Sequence, residues 1–307
     1  MTSFTHVTSG LRFPEGPIAT PDGSVLLVEI ERQTLSRVAP DGTITVVAKT
    51  GGGPNGAAMG PDGKIYICNN GGFTWGESKM GLMATGTPDD YETGSIDRVD
   101  IATGKVERLY TSADGQQLRG PNDIVFDRTG GFWFTDLGKF WSHGRDYGKL
   151  CYGRADGSSC TIGARPMLSP NGVGLSPDEK TVYVAESATA RLYAFDLEEP
   201  GKVVRSDKRT GHGGRMIYAS PVWRSFDSMG IDAEGNICVA SFGLGGILVI
   251  SPEGREIEFV ETDDVMTTNI CFGGPDMRTA WITLSGSGRL VKTQWKRPGL
   301  KLNYLNT

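Results

Sequence analysis

Residues 169–187 read SPNGVGLSPDEKTVYVAES. Asn171 is followed, eight residues on, by a turn position at Glu179 and then by the apolar β-run TVYVAE. Five other stretches repeat the phrase: FPEGPIATPDG (13–23), GPNGAAMGPDG (53–63), GPNDIVFDRTG (120–130), SFDSMGIDAEG (225–235) and TTNICFGGPDM (267–277). Each keeps the same spacing from an oxygen-bearing marker to the turn, and each leads into a β-run: SVLLVE, KIYICN, GFWFTD, NICVAS and TAWITL. The markers are Glu15, Asn55, Asn122, Asn171, Asp227 and Asn269. One supersecondary unit cannot bury its own apolar face, so six copies predict a closed stack of repeats.

Between the β-run of one unit and the marker of the next lies a second hairpin pattern, as in TLSRVAPDGTITVVAKT (34–50), SIDRVDIATGKVERLYT (95–111), KLCYGRADGSSCTIGA (149–164), RLYAFDLEEPGKVVR (191–205) and GILVISPEGREIEFVET (246–262). Alternation in SIDRV, RLYAF and GILVI reads as antiparallel strands, and Asp-Gly pairs supply the positive φ that hairpin turns need. Four antiparallel strands repeated six times predict an all-β, six-bladed β-propeller. The last unit, ending in GRLVKTQW (288–295), lacks an outermost strand of its own. The segment FTHVTSG (4–10) is therefore expected to pair there and close the ring without a free edge. Residues 1–307 are read as one such domain. The tail KLNYLNT (301–307) has no evident part in this scheme.

Composition narrows the function. A formal charge of −5 with no basic block disfavours a nucleic-acid partner. No apolar run approaches the roughly 18 residues that cross a bilayer, and MTSFTHVTSG carries no apolar signal core, so a cytoplasmic protein without a membrane partner is expected. Five scattered cysteines fit reduced thiols; Cys151 and Cys160 flank a turn, but a disulfide between them is not expected. Neither a Cys-x-x-Cys metal spacing nor a Gly-x-Ser-x-Gly nucleophile elbow occurs. Oligomeric state is not readable.

Inner strands of a propeller converge on its axis, so the six markers should approach one point. Two carboxylates and four amides, with no Cys or His, are hard oxygen donors suited to Ca²⁺, with Mn²⁺, Mg²⁺ or Zn²⁺ as alternatives. Three long insertions, 70–94, 137–148 and 206–224, are read as walls of a pocket on the marker face. They carry the candidate substrate contacts Trp75, Trp141 and His143, together with Phe73, Phe140, Trp223 and a second histidine, His212. Polar residues ending the β-runs, Glu29, Asn69, Asp136, Glu186 and Ser241, are candidates for orienting the markers.

The phrases FPEGP, GPND, SPNGVGLSPDEKTVYVAES and FDSMGIDAEGNICVAS resemble those of the senescence-marker-protein/gluconolactonase family, which is related in fold to diisopropylfluorophosphatase. The resemblance implies a six-bladed propeller that hydrolyses lactones with one catalytic divalent metal. It places the metal ligands on Glu15, Asn122, Asn171 and Asp227, and leaves Asn55 and Asn269 in the remaining ring positions. The family's substrate-binding arginine lies just before the blade-three Asn, where this chain has Arg119; Asn55 and Asn122 join it as candidate substrate contacts. The expected reaction is opening of a sugar-acid lactone such as a gluconolactone, with Asp227 as general base or nucleophile. A related esterase or phosphotriesterase, or a non-catalytic binding propeller, are the alternatives.

Overall fold

The computed structural model describes residues 2–305; Met1, Asn306 and Thr307, the ends of the domain and of the tail read above, lie outside the described residues. Six antiparallel sheets, five of four strands and the fourth of five, are arranged as blades around an axis. Among the described residues the one helical element is the 3₁₀ turn Lys208–Thr210. The inner strands are Pro14–Ala19, Pro54–Met59, Pro121–Phe126, Pro170–Leu175, Ser225–Ile231 and Thr267–Gly273, so every marker lies near the start of one.

Each turn position eight residues after a marker has positive φ: Gly23 (82°), Gly63 (72°), Gly130 (82°), Glu179 (57°), Gly235 (85°) and Met277 (57°). Four glycines adopt this conformation freely, while Glu179 and Met277 accept its steric cost to keep the period. An Asp in each turn takes backbone N–H groups beyond it, as Asp178 Oδ1 does from Lys180.

The hydrophobic core is six interfaces between neighbouring blades, not one mass. TVYVAE shows how the alternation serves this: Val182 and Val184 face blade three, while Tyr183 and Ala185 face blade five. Both faces of a blade are covered, which is why the β-runs carry apolar residues on both faces up to their polar ends. The marker end of the axis is left to buried polar side chains, Glu15, Asn55, Asn122, Asn171 and Asn269 among them.

The ring closes as expected. Strand Thr5–Ser9 pairs antiparallel with Arg289–Gln294 and completes blade six. The closure reaches the axis as well: Ser285 Oγ donates to the Pro14 carbonyl at 2.6 Å, joining blade six to blade one.

Blade four departs from the reading. The hairpin Arg191–Glu199 with Lys202–Val203 forms, but the outermost strand along Arg191–Ala194 is Arg215–Ala219. Residues 206–214 therefore sit at the outer edge of the blade and not on the marker face. His212 is 3% exposed, its ring lies 4.6 Å from that of Tyr193, and Nδ1 accepts the Gly214 N–H. It is a core histidine, and only 220–224 of that insertion return to the pocket face. The five cysteines are free thiols, and Cys151 pairs with Ile162 while Cys160 pairs with Gly153.

The tail crosses the opposite face. Leu300 N donates to Ile231 O, and Asn303 Nδ2 donates to Phe126 O and, at 2.7 Å, to Glu179. Leu305 then joins the interface between blades one and two. A cavity of about 210 Å³ lies on the axis beneath this tail, walled by Ile124, Val173, Met229 and Ile270, with Asp123 and Asn269 among its lining. No helix among the described residues is long and apolar enough to cross a membrane.

Candidate functional site

Every inner strand breaks register with its neighbour at the marker: between Glu15 and Ile18, Pro54 and Ala57, Pro121 and Ile124, Pro170 and Val173, Phe226 and Met229, and Thr267 and Asn269. Such a bulge re-aims a side chain that would otherwise stand between blades. Close approach follows at Gly16, where a Cβ would lie 2.7 Å from Asn55 O, and at Gly172, where it would lie 2.6 Å from Asp227 O. These glycines let neighbouring markers meet.

The markers are buried, apart from a half-buried Asp227. Glu15 Oε2 accepts the Gly16 N–H at 2.8 Å and the Asn269 amide at 2.7 Å. Asn171 bonds to the Asp227 carboxylate, to Ser187 Oγ at 3.1 Å, and to Ser228 Oγ at 3.4 Å. Both acids are pushed upward. Burial raises Glu15 well above its ordinary value, and the Asp227 charge adds to this. Burial raises Asp227 to about 7, against the Asn171 hydrogen bond. A third acid, Asp123, repels both; burial pushes it to about 7, although Ile124 N and Val173 N donate to it.

A buried and a half-buried carboxylate that repel each other without a cation between them are costly. Asn122 Oδ1 is buried and has no hydrogen-bond partner. Oxygen-only donors, uncompensated negative charge and an orphaned acceptor fit a hard divalent cation. Among the described residues no three His, Cys, Asp or Glu cluster for metal binding, so a cation here would depend on the amide oxygens.

The β-run ends act on the backbone before the markers. Glu29 accepts from Arg12 N (2.8 Å), Asn69 from Gly53 N (2.8 Å), Asp136 from Arg119 N and Gly120 N (2.9 and 2.6 Å), and Glu186 from Leu168 N (2.7 Å). Four blades thus fix the entry into the inner strand two or three residues ahead of the marker. Ser241, the fifth candidate, has a buried hydroxyl with no partner.

Insertion 70–94 folds back as the ribbon Thr74–Ser78 and Gly81–Gly86, which crosses blade one to reach blade six. Trp75 lies 5.1 Å from Phe13 and 6.1 Å from Phe73, and Phe73 lies 5.8 Å from Phe140. At the tip, Gly81 packs so tightly on Gly286 O that a Cβ would stand 1.9 Å away. Insertion 137–148 carries exposed His143 stacked on half-buried Trp141 at 6.1 Å. Arg119 lies between the rings of Tyr91 and Trp141 (5.2 and 6.0 Å), and its Nε donates to Asp146 at 3.0 Å. Trp75, Trp141, His143 and Arg119 therefore share the marker face, where Asn55 is buried.

Three groups of this region escaped the sequence reading. Asp123 follows its marker where blades one, two and four have Gly, a difference visible in GPND. Tyr91 and Lys139 gave no local signal.

A family model described as SMP-30/gluconolactonase/LRE-like region matches residues 13–286. The gluconolactonase of Zymomonas mobilis is 24% identical over 95% of this chain and 82% of its own length. The lactonase drp35 of Staphylococcus saprophyticus is 29% identical over 79% of this chain and 68% of its own. Among solved structures, regucalcin of Agrobacterium tumefaciens, a calcium-binding protein, superposes with a TM-score of 0.69 at 19% identity, covering 98% of each chain.

Proposed function

The chain belongs to the SMP-30/gluconolactonase/LRE-like family, and from that premise we propose that it is an enzyme that hydrolyses a lactone at the axial set of Glu15, Asn122, Asn171 and Asp227. The observation that carries the reading is the pair of uncompensated acids, buried Glu15 and half-buried Asp227, together with the orphaned Asn122 Oδ1. We take residues 1–307 as one domain on related grounds, because Thr5–Ser9 completes the sixth blade.

A divalent cation held by these four residues would supply Lewis-acid polarisation of the lactone carbonyl; calcium is the first choice for such donors. The chain's own groups do the rest. Glu15 is held through one oxygen, Oε2, by Asn269 and Gly16, and its other oxygen would be the one offered to the cation. Asp227, oriented by Asn171 and raised in basicity by burial, takes the proton of the attacking water as the new C–O bond forms. That proton then passes to the ring oxygen as the lactone C–O bond breaks. Trp75, Trp141, His143, Arg119 and Asn55 form the rim that receives the substrate, with half-buried ring faces suited to a small sugar-acid lactone of the gluconolactone type.

The test is a panel of lactones read by pH indicator. Chelator-treated protein is supplied with Ca²⁺, Mn²⁺, Mg²⁺ or Zn²⁺ in turn. Metal-restored hydrolysis is expected; no acceleration above the blank with any metal overturns the reading.

A further inference from the structure

Lys139, in the loop leaving blade three, is 1% exposed. Among the described residues it forms no salt bridge, because the nearby acids are engaged elsewhere: Asp146 with Arg119 at 3.0 Å and Asp136 with Lys149 at 3.1 Å. Its Nζ instead donates to Asn70 O at 3.0 Å and Gly72 O at 2.5 Å. The same ammonium lies 4.1 Å from the ring centroid of Phe73 and 4.8 Å from that of Tyr91.

A buried ammonium is tolerated only where acceptors and ring faces replace its water. Here every replacement comes from insertion 70–94. Asn70, Gly72 and Phe73 open that insertion, and Tyr91 stands near its end. Backbone preference does not fix the opening stretch, since Gly71 and Gly72 have φ of 79° and 103°. Burial and the Arg119 charge pull the ammonium down to about 7, whereas the two carbonyls and two rings favour its charged form.

We propose that Lys139 is the positioning residue of the substrate pocket: it pins both ends of insertion 70–94 to blade three and thereby fixes the aromatic wall of Phe73 and Trp75 on the marker face. Its bearing on substrate rests on the lactonase reading above. Lys139 touches neither the axial set nor the reacting atoms, so its loss should move substrate binding more than the chemical step.

The experiment compares the parent with Lys139→Met, which keeps length and apolar volume but has no donor. Hydrogen exchange of amides 71–86 should quicken by at least about tenfold, the scale of one lost hydrogen bond to a charged group. Exchange in the inner strands should stay unchanged. For the best lactone of the panel, KM should rise about tenfold while kcat stays within about threefold, the pattern of lost ground-state binding. Lys139→Arg, which keeps a cation for the carbonyls and rings, should recover part of both effects. If Lys139→Met fails to fold, Phe73→Leu removes one ring of the cage and should shift both readouts in the same direction by less. Unchanged exchange of 71–86 overturns the proposal, as does faster exchange with unchanged KM. Should the parent open no lactone, the activity reading falls, and the exchange comparison alone decides the clamp.

Discussion

Replacing Asn269 with Ala tests how the axial set is held together. The Asn269 amide donates to Glu15 Oε2 at 2.7 Å, and Gly16 N donates to the same oxygen at 2.8 Å. Both side chains are nearly inaccessible, at 5% and 2% exposure. Alanine leaves one donor on a buried carboxylate and frees it to rotate away from the axis. A hydrogen bond to a charged group contributes about 1.5–3 kcal/mol, which at about 1.4 kcal/mol per decade converts to roughly 10–150-fold in an equilibrium constant. Loss of a partner that orients a metal ligand typically costs about 10–100-fold in affinity. The two routes agree, so calcium should bind roughly tenfold to a hundredfold more weakly. Calorimetric titration of Ca²⁺ into chelator-stripped protein measures this directly. Asn303→Ala is the control, because it breaks a hydrogen bond to Glu179 on the opposite face with no route to Glu15. A calcium Kd for Asn269→Ala within about threefold of the parent's refutes the reasoning, since it lies below either estimate.

Deleting residues 2–10 removes the strand Thr5–Ser9 and the partly buried Phe4 and Val7, so denaturant unfolding should show a loss on the order of 3–5 kcal/mol. An unchanged midpoint would end the closure argument. Asp227→Asn keeps an oxygen donor but accepts no proton, and with saturating calcium its turnover should fall by about 10²–10⁴-fold; near-parental kcat would leave Asp227 as a ligand only. Burial holds the Asp97 carboxyl above its ordinary value, against hydrogen bonds from Ser95 and Asn69. The unfolded chain therefore gives up this proton first, and the stability it contributes is full below the unfolded value near 3.8 and is lost as pH rises through the folded value. Asp97→Asn should flatten that slope in urea melts taken across the acid range, and an unaltered slope would assign it to other groups.

The period was legible because the turn chemistry enforces it. Glu179 and Met277 carry no sequence signal for positive φ, yet their place eight residues after a marker predicts it, and both adopt it. The convergence of Glu15 and Asp227 was legible for the same reason, since equal register in a closed ring leaves the markers one place to go. Excursions from the period were not. The outer strand of blade four begins only at Arg215, and nothing in SDKRTGHGG says that the chain stays at the blade edge, where His212 finds Tyr193 and Phe195. Lys139 was equally hidden. Its acceptors are backbone carbonyls 69 and 67 positions away, and a carbonyl has no letter in a sequence.

The architecture explains how one axis can be kept while loops diverge. Apolar side chains are gathered at six interfaces between blades, and the marker positions at the start of each inner strand are left to polar residues. The insertions leave the blades at strand ends and can change length without shifting an inner strand, because Glu29, Asn69, Asp136 and Glu186 hold the entry backbone from within their own blades. Blade one, like blade four, has its marker held from a neighbouring blade, and here that neighbour is the last blade of the chain. The blade-one marker is oriented from blade six, through Asn269 to Glu15 and Ser285 to Pro14, across 254 and 271 positions of sequence. Glu15 is therefore in place only once the ring has closed, and closure by Thr5–Ser9 is a condition of the site as well as of the fold.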